Sequence, residues 1–161
     1  MRKTRDILYT IFMGLILFLS GAIILGGIEY FINEYIGFDI VSVILFFIAA
    51  RYLTILVLKG LSTTSKFYSI YIQIMVILMY IFKDYVFFLV YYIVSGANIF
   101  AILKSIPYLM YERLLSYFIY SSEIGLGYYV LNLFSGILDV VILFVGVYTS
   151  YKITKIYNNK A

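Results

Sequence analysis

Residues 67–94 read FYSIYIQIMVILMYIFKDYVFFLVYYIV, a stretch in which Gln73, Lys83 and Asp84 are the only charged or amide side chains. Backbone amides survive in hydrocarbon only when a helix pairs them internally, so a run this apolar and this long reads as a transmembrane helix. The apolar character continues to Leu103, and one helix over 67–103 would be roughly 55 Å long against a core of ~30 Å. The chain therefore has to turn. Ser95, Gly96, Ala97 and Asn98 supply turn chemistry, whereas Lys83-Asp84 supplies charge but neither Gly nor Pro. The preferred reading is one long, tilted span over 67–94. Its far end carries Tyr85, Phe87, Phe88, Tyr91 and Tyr92 as an interfacial aromatic belt.

Composition supports the same solvent for the rest of the chain. Of 161 residues, 65% are hydrophobic and only 12% charged, with a mean hydropathy of +1.04. A soluble domain carries roughly a quarter charged residues, and a fold of this size leaves too much surface exposed to hide so many apolar side chains. The expected fold class is an all-α integral membrane protein, a polytopic helical bundle forming a single transmembrane domain over 1–161. Four transmembrane helices are preferred, at about 7–27, 39–58, 67–94 and 125–149.

Residues 99–122 are expected to form an amphipathic interfacial helix, because Ser105, Glu112, Ser116 and Glu123 fall on one stripe. Pro107 suits an early turn of that helix. The competing reading makes this segment a further crossing. Six crossings, split at Lys83-Asp84, would preserve the orientation, whereas five would not. The opening Met1-Arg2-Lys3-Thr4-Arg5 imitates a signal peptide, but the apolar run continues past Ser20-Gly21-Ala22, as expected of an uncleaved first span. Within it Thr10, Gly14 and Gly21 lie close to one face, a smooth surface for a neighbouring helix. Residues 28–38 read as a short loop or helix extension outside the bilayer, and residues 60–65 as the clearest loop.

The basic residues orient the chain. With four crossings Arg2, Lys3, Arg5, Lys59, Lys66, Lys152, Lys155 and Lys160 share one side, facing Glu29, Glu34, Asp39, Glu112 and Glu123 on the other. Only Lys104 and Arg113 are basic members of that acidic side. The positive-inside distribution predicts a multi-pass protein of the cell membrane with both termini cytoplasmic.

Two ionisable residues are expected well inside the bilayer: Arg51 in the second span and Asp139 in the last. Such residues normally face the bundle interior and find partners. The readings are an Arg51–Asp139 pair, snorkelling of Arg51 to the cytoplasmic interface, or a proton or ion pathway. Asn132, Ser135, Asp139 and Gly146 form one stripe of the last span, either a polar lining or a helix–helix contact of small and hydrogen-bonding residues. Gln73 and Ser69 are candidates to face that stripe.

Histidine and cysteine are absent, which removes the usual haem ligands, the parts of a zinc hydrolase and the Cys–His nucleophile. No phosphate-binding loop is present, and Glu29, Glu34 and Asp39 read as solvated loop acids. No enzyme, catalytic residue, metal or cofactor is expected, and the charges form no patch suited to nucleic acid. Glu29 after an apolar span, then Asp39-Ile40-Val41, Ile48-Ala49-Ala50-Arg51 and Ile55-Leu56, resembles the phosphate-starvation-inducible E family. That resemblance covers about 30 residues, and the acid-to-arginine spacing here is shorter than the family's. It implies a small multi-span membrane protein. The expected role is a non-catalytic subunit or scaffold of a membrane assembly. The alternative is a small oligomeric transporter or channel component with Arg51 and Asp139 near its pathway. Expected partners are the lipid bilayer and either further copies of the chain or other membrane subunits.

Overall fold

The long apolar runs become four helices in a computed structural model. It describes residues 2–35, 40–61, 65–98, 100, 102–105, 107–108, 111 and 126–159. The helices are α1 (Arg2–Tyr35), α2 (Ile40–Lys59), α3 (Lys66–Val94) and α4 (Leu126–Asn158). Each contains a segment long and apolar enough to cross a membrane: Thr4–Tyr35, Val41–Lys59, Lys66–Val94 and Gly136–Asn158. No strand occurs among the described residues.

The ends of α3 follow from local chemistry. Ser65 adopts an extended backbone and its hydroxyl accepts the Phe67 N–H at 3.2 Å, a side-chain N-cap. At the other end Gly96 takes φ 78°, the left-handed conformation glycine adopts without penalty. Its N–H reaches the Ile93 carbonyl and the Ala97 N–H reaches that of Tyr92, both at 3.1 Å, closing a Schellman motif. The turn chemistry at 95–98 thus ends the helix, and Lys83-Asp84 stays inside it. Asn98 then accepts the Phe100 N–H at 3.0 Å, opening the helical turns described at 100, 102–105, 107–108 and 111. The remainder of the expected interfacial helix, including Glu112, Ser116 and the stripe's end at Glu123, lies outside the described residues.

Successive helices alternate in direction, and the closest neighbours are not all successive. α1 packs mainly on α3, which runs parallel to it, and α2 on α4, likewise parallel. Antiparallel contacts of α1 with α2 and of α3 with α4 complete the ring, while α2 and α3 touch only slightly across it. The core lies along this seam: Ala22 and Leu25 of α1, Phe46, Ala50 and Val57 of α2, and Ile72, Val76 and Met79 of α3.

Close approach of α1 to α3 depends on missing side chains. A Cβ on Gly21 would press on Met79 Sδ, and one on Gly26 would lie 2.7 Å from Val86 Cβ and 3.0 Å from the Phe87 nitrogen. The smooth face read from Thr10, Gly14 and Gly21 is therefore used, and Gly26 extends it. In membranes, where lipid competes equally for apolar surface, packing of this kind is a main source of helix association.

Of the two readings of residues 28–38, a loop or a helix extension, α1 takes the second through Tyr35, so Glu29 and Glu34 project from helix. One boundary differs from the sequence reading. α4 runs to Asn158, past the expected end at 149. The polar residues there are absorbed by the helix: Thr149 donates to the Val145 carbonyl and Thr154 can donate to that of Tyr151, each at 2.8 Å.

Gly26 and Gly27 form a matched test of the α1–α3 seam, because a Cβ on Gly27 meets nothing within 4 Å. Gly26→Ala is expected to cost about 1–3 kcal/mol through overpacking against backbone, whereas Gly27→Ala should be neutral or slightly stabilising. Denaturation of both variants in detergent, followed by circular dichroism, measures the difference.

Candidate functional site

One face of α3 carries Val76, Met79, Tyr80, Lys83 and Asp84 at spacings of three and four, so a helix places them side by side. Val76 and Met79 are fully buried in the core and Lys83 is 7% exposed, so its ammonium has no route to bulk water. It is held instead by protein. Nζ lies 2.7 Å from Glu29 Oε2 on α1 and 2.8 Å from Asp84 Oδ1 on its own helix. It also stands 4.7 Å from the centroid of the Tyr80 ring, over its negative face. An ammonium has three protons, and two carboxylates and a π-face account for them.

Tyr80 extends the cluster. Its hydroxyl donates to Asp139 Oδ1 on α4 at 2.8 Å, and its ring meets Phe46 of α2 edge-on at 4.7 Å between centroids. Phe46 is fully buried and seated against Gly146 of α4, where any Cβ would collide with its ring. Through Tyr80 and Lys83, two adjacent turns of α3 touch the other three helices. Glu29 is 6% exposed, while Asp84 and Asp139 are half-buried. Three carboxylates thus gather around one ammonium and one phenol.

A second polar layer sits toward the opposite end of the bundle. Thr54 donates to Ser150 Oγ at 2.9 Å, joining α2 to α4, and Ser69 shares a 2.8 Å hydrogen bond with Thr154, joining α3 to α4. All four hydroxyl residues are buried. Gln73 Nε2 donates to Ser69 Oγ at 3.1 Å, so Gln73 feeds this layer. Ser69 faces the last helix as anticipated, but at Thr154 and not at the Asn132 stripe.

Arg51 and Asp139 do not pair. The register of α2 on α4, fixed by Phe46 at Gly146 and Thr54 at Ser150, brings Arg51 to the level of Tyr148. Asp139 lies roughly 13 Å away along α4 at 1.5 Å per residue, where Tyr80 engages it. The pairing reading placed the end of the last span at 149; with the helix continuing to Asn158, Asp139 lies farther from that end than Arg51 does from Lys59. Arg51 is exposed on an open groove that it lines with Ile55, Tyr148 and Lys152. Asn132 and Ser135 fall on α4, but their side chains lie outside the described residues.

Sequence reasoning missed Glu29, Lys83 and Tyr80. Glu29 was read as a solvated loop acid, and the structure overturns that, since α1 does not end before it. The available signal was Lys83 itself: an ammonium within a helix-length apolar run needs a partner. Glu29 is the acid that closes the apolar run of the parallel neighbour. Among the described residues no group of three or more metal-ligating side chains is arranged to hold an ion. No protein-family model, curated protein or solved structure matches the chain.

Breaking a buried pair strands a charge, which typically costs 3–5 kcal/mol, while replacing both partners with apolar groups is far milder. Lys83→Met is therefore expected to destabilise the bundle by about that amount, and Glu29→Leu with Lys83→Met to recover most of the loss. Tyr80→Phe removes one charge-assisted hydrogen bond and should cost about 1.5–3 kcal/mol. Unfolding of the set in one detergent checks the order Lys83→Met, then Tyr80→Phe, then the double variant.

Proposed function

We propose that this chain is a four-crossing protein of the cell membrane that serves as a non-catalytic subunit or scaffold of a membrane assembly. The observation that carries this reading is the closure of the Lys83 cluster. Its ammonium is engaged by Glu29, Asp84 and the Tyr80 ring, and the contacts tie α3 to α1, α2 and α4. An arrangement of this kind fastens helices together. The hydroxyl layer at Thr54, Ser150, Ser69 and Thr154 fastens the other end. Outward faces are apolar along their length, as at Phe134, Leu138, Val141 and Val145 of α4, and are suited to lipid or to the helices of a partner. The resemblance to the phosphate-starvation-inducible E family points the same way, toward a small multi-span membrane protein.

The proposed orientation puts Lys59, Lys66 and Lys155 in the cytoplasm, with both ends of the chain, and the 95–98 turn outside. A native sequence without cysteine makes this directly measurable. With a membrane-impermeant maleimide, Asn98→Cys should label in intact cells and Asn159→Cys only after permeabilisation. The reverse pattern overturns the orientation.

A second reading, a small oligomeric transporter or channel component, draws on one feature: the cluster holds three carboxylates and a single ammonium. Purification in mild detergent separates the two. A stable hetero-complex, together with reconstituted vesicles that show no proton or cation flux, supports the subunit. A symmetric homo-oligomer whose flux is abolished by Asp139→Asn supports transport and overturns the first reading.

A further inference from the structure

The groove between α2 and α4 has no role in the ionic cluster or the hydroxyl layer. It is an open cleft of about 660 Å³, with Arg51, Lys152 and Tyr148 supplying its polar groups and Ile55, Ile153 and Ile156 its apolar wall. Arg51, Tyr148 and Lys152 are all exposed. No carboxylate lines the cleft, and neither cation forms an ion pair among the described residues. Thr149 also borders it, but its hydroxyl proton is committed to the Val145 carbonyl at 2.8 Å. The donors left to a ligand are the guanidinium, the ammonium and the Tyr148 phenol.

Two like charges lining one cleft, with no acid beside them, make it attractive to an anion. Depth then limits which anion. Arg51 lies roughly 12 Å along α2 from Lys59, and Lys152 roughly 9 Å along α4 from Asn158, at 1.5 Å per residue. Both belong to the basic end of the bundle, and both stems are long enough to lift their charges toward the headgroup level. Toward the bilayer centre from them the same two helix faces carry exposed Ile44 and Ile48 of α2 and Val141 and Val145 of α4, which suit an acyl chain and offer nothing to a hydrated ion. Basic pockets between transmembrane helices on the cytoplasmic side have the chemistry to hold anionic lipid headgroups.

We propose that the α2–α4 groove is a binding site for an anionic phospholipid of the cytoplasmic leaflet. Its phosphate is held between Arg51 and Lys152 with a hydrogen bond from Tyr148, beside Ile55, Ile153 and Ile156, and a chain runs inward along Ile44, Ile48, Val141 and Val145. The guanidinium gives the phosphate a two-pronged contact and the ammonium a point charge. The site rests on the membrane reading above, but not on whether the chain acts as a subunit or a transporter.

The test is native mass spectrometry of the delipidated full chain in detergent, titrated with phosphatidylglycerol or phosphatidylcholine. Phosphatidylglycerol is expected to bind more tightly by about fivefold per cation, roughly 30-fold in all. Arg51→Gln with Lys152→Gln should erase that preference while leaving phosphatidylcholine binding unchanged. Arg51→Lys with Lys152→Arg should retain most of it, with helicity and elution volume of both double variants as the folding control. Equal binding of the two lipids by the native chain, or a preference that survives the Gln double variant, overturns the proposal. Displacement of phosphatidylglycerol by millimolar inorganic phosphate also overturns it, by identifying the ligand as a free anion. A chain that stays dissolved without detergent or lipid would instead overturn the membrane reading itself.

Discussion

The arrangement of the four helices depends on how one buried ammonium is neutralised. Lys83 sits where α3 faces the core, and a charge stranded there would cost several kcal/mol. Glu29 at 2.7 Å and Asp84 at 2.8 Å remove that cost, and the geometry they need fixes α1 against α3 in both rotation and height. Tyr80, one turn away, carries the constraint to α2 through Phe46 and to α4 through Asp139. A shift of α1 by one turn would separate Glu29 from Lys83. Apolar packing alone does not select a register so sharply, because one isoleucine row resembles the next.

The ion pair in turn depends on close packing beside it. Gly21 and Gly26 let α1 approach α3, and Gly26 lies directly against the backbone that bears Lys83. Without that approach the carboxylate of Glu29 would not reach Nζ. At the other end neutral hydroxyls join the helices, at Thr54–Ser150 and Ser69–Thr154. Each such bond is modest in a membrane, on the order of 0.6 kcal/mol, so the two ends are unlike: an ionic fastening at one and a hydroxyl ladder at the other. The exposed Arg51 and Lys152 belong to the second end but point away from the ladder into the α2–α4 groove. Polar groups inside the bundle serve its cohesion, and those on its surface remain available to ligands.

Parallel packing of α1 on α3 and of α2 on α4 gives the ring an order that differs from the order along the chain. The most extensive helix contacts join non-consecutive helices, and hydrogen bonds such as Tyr80–Asp139 and Ser69–Thr154 add fastenings between consecutive ones. This packing also explains why the core is built mostly from α1, α2 and α3, while most of the outer face of α4 remains exposed apolar surface.

The sequence by itself determined the helical class, the four long apolar helices and the ends of α3, since these follow from local physics. Hydrocarbon-compatible runs must coil, and the turn chemistry at 95–98 and the loop chemistry at 60–65 bound the third of them. The glycine face of α1 was legible for the same reason, because a stripe is a property of one helix. Pairing between helices was not. An Arg51–Asp139 pair was compatible with a last span ending at 149, and the extension of α4 to Asn158 set the two residues at different heights. Glu29 looked like a loop acid until α1 proved continuous to Tyr35 and parallel to α3. Which charges meet is set by the mutual height and rotation of the helices. Those are fixed by contacts among residues distant in the chain, so only the tertiary structure could decide them.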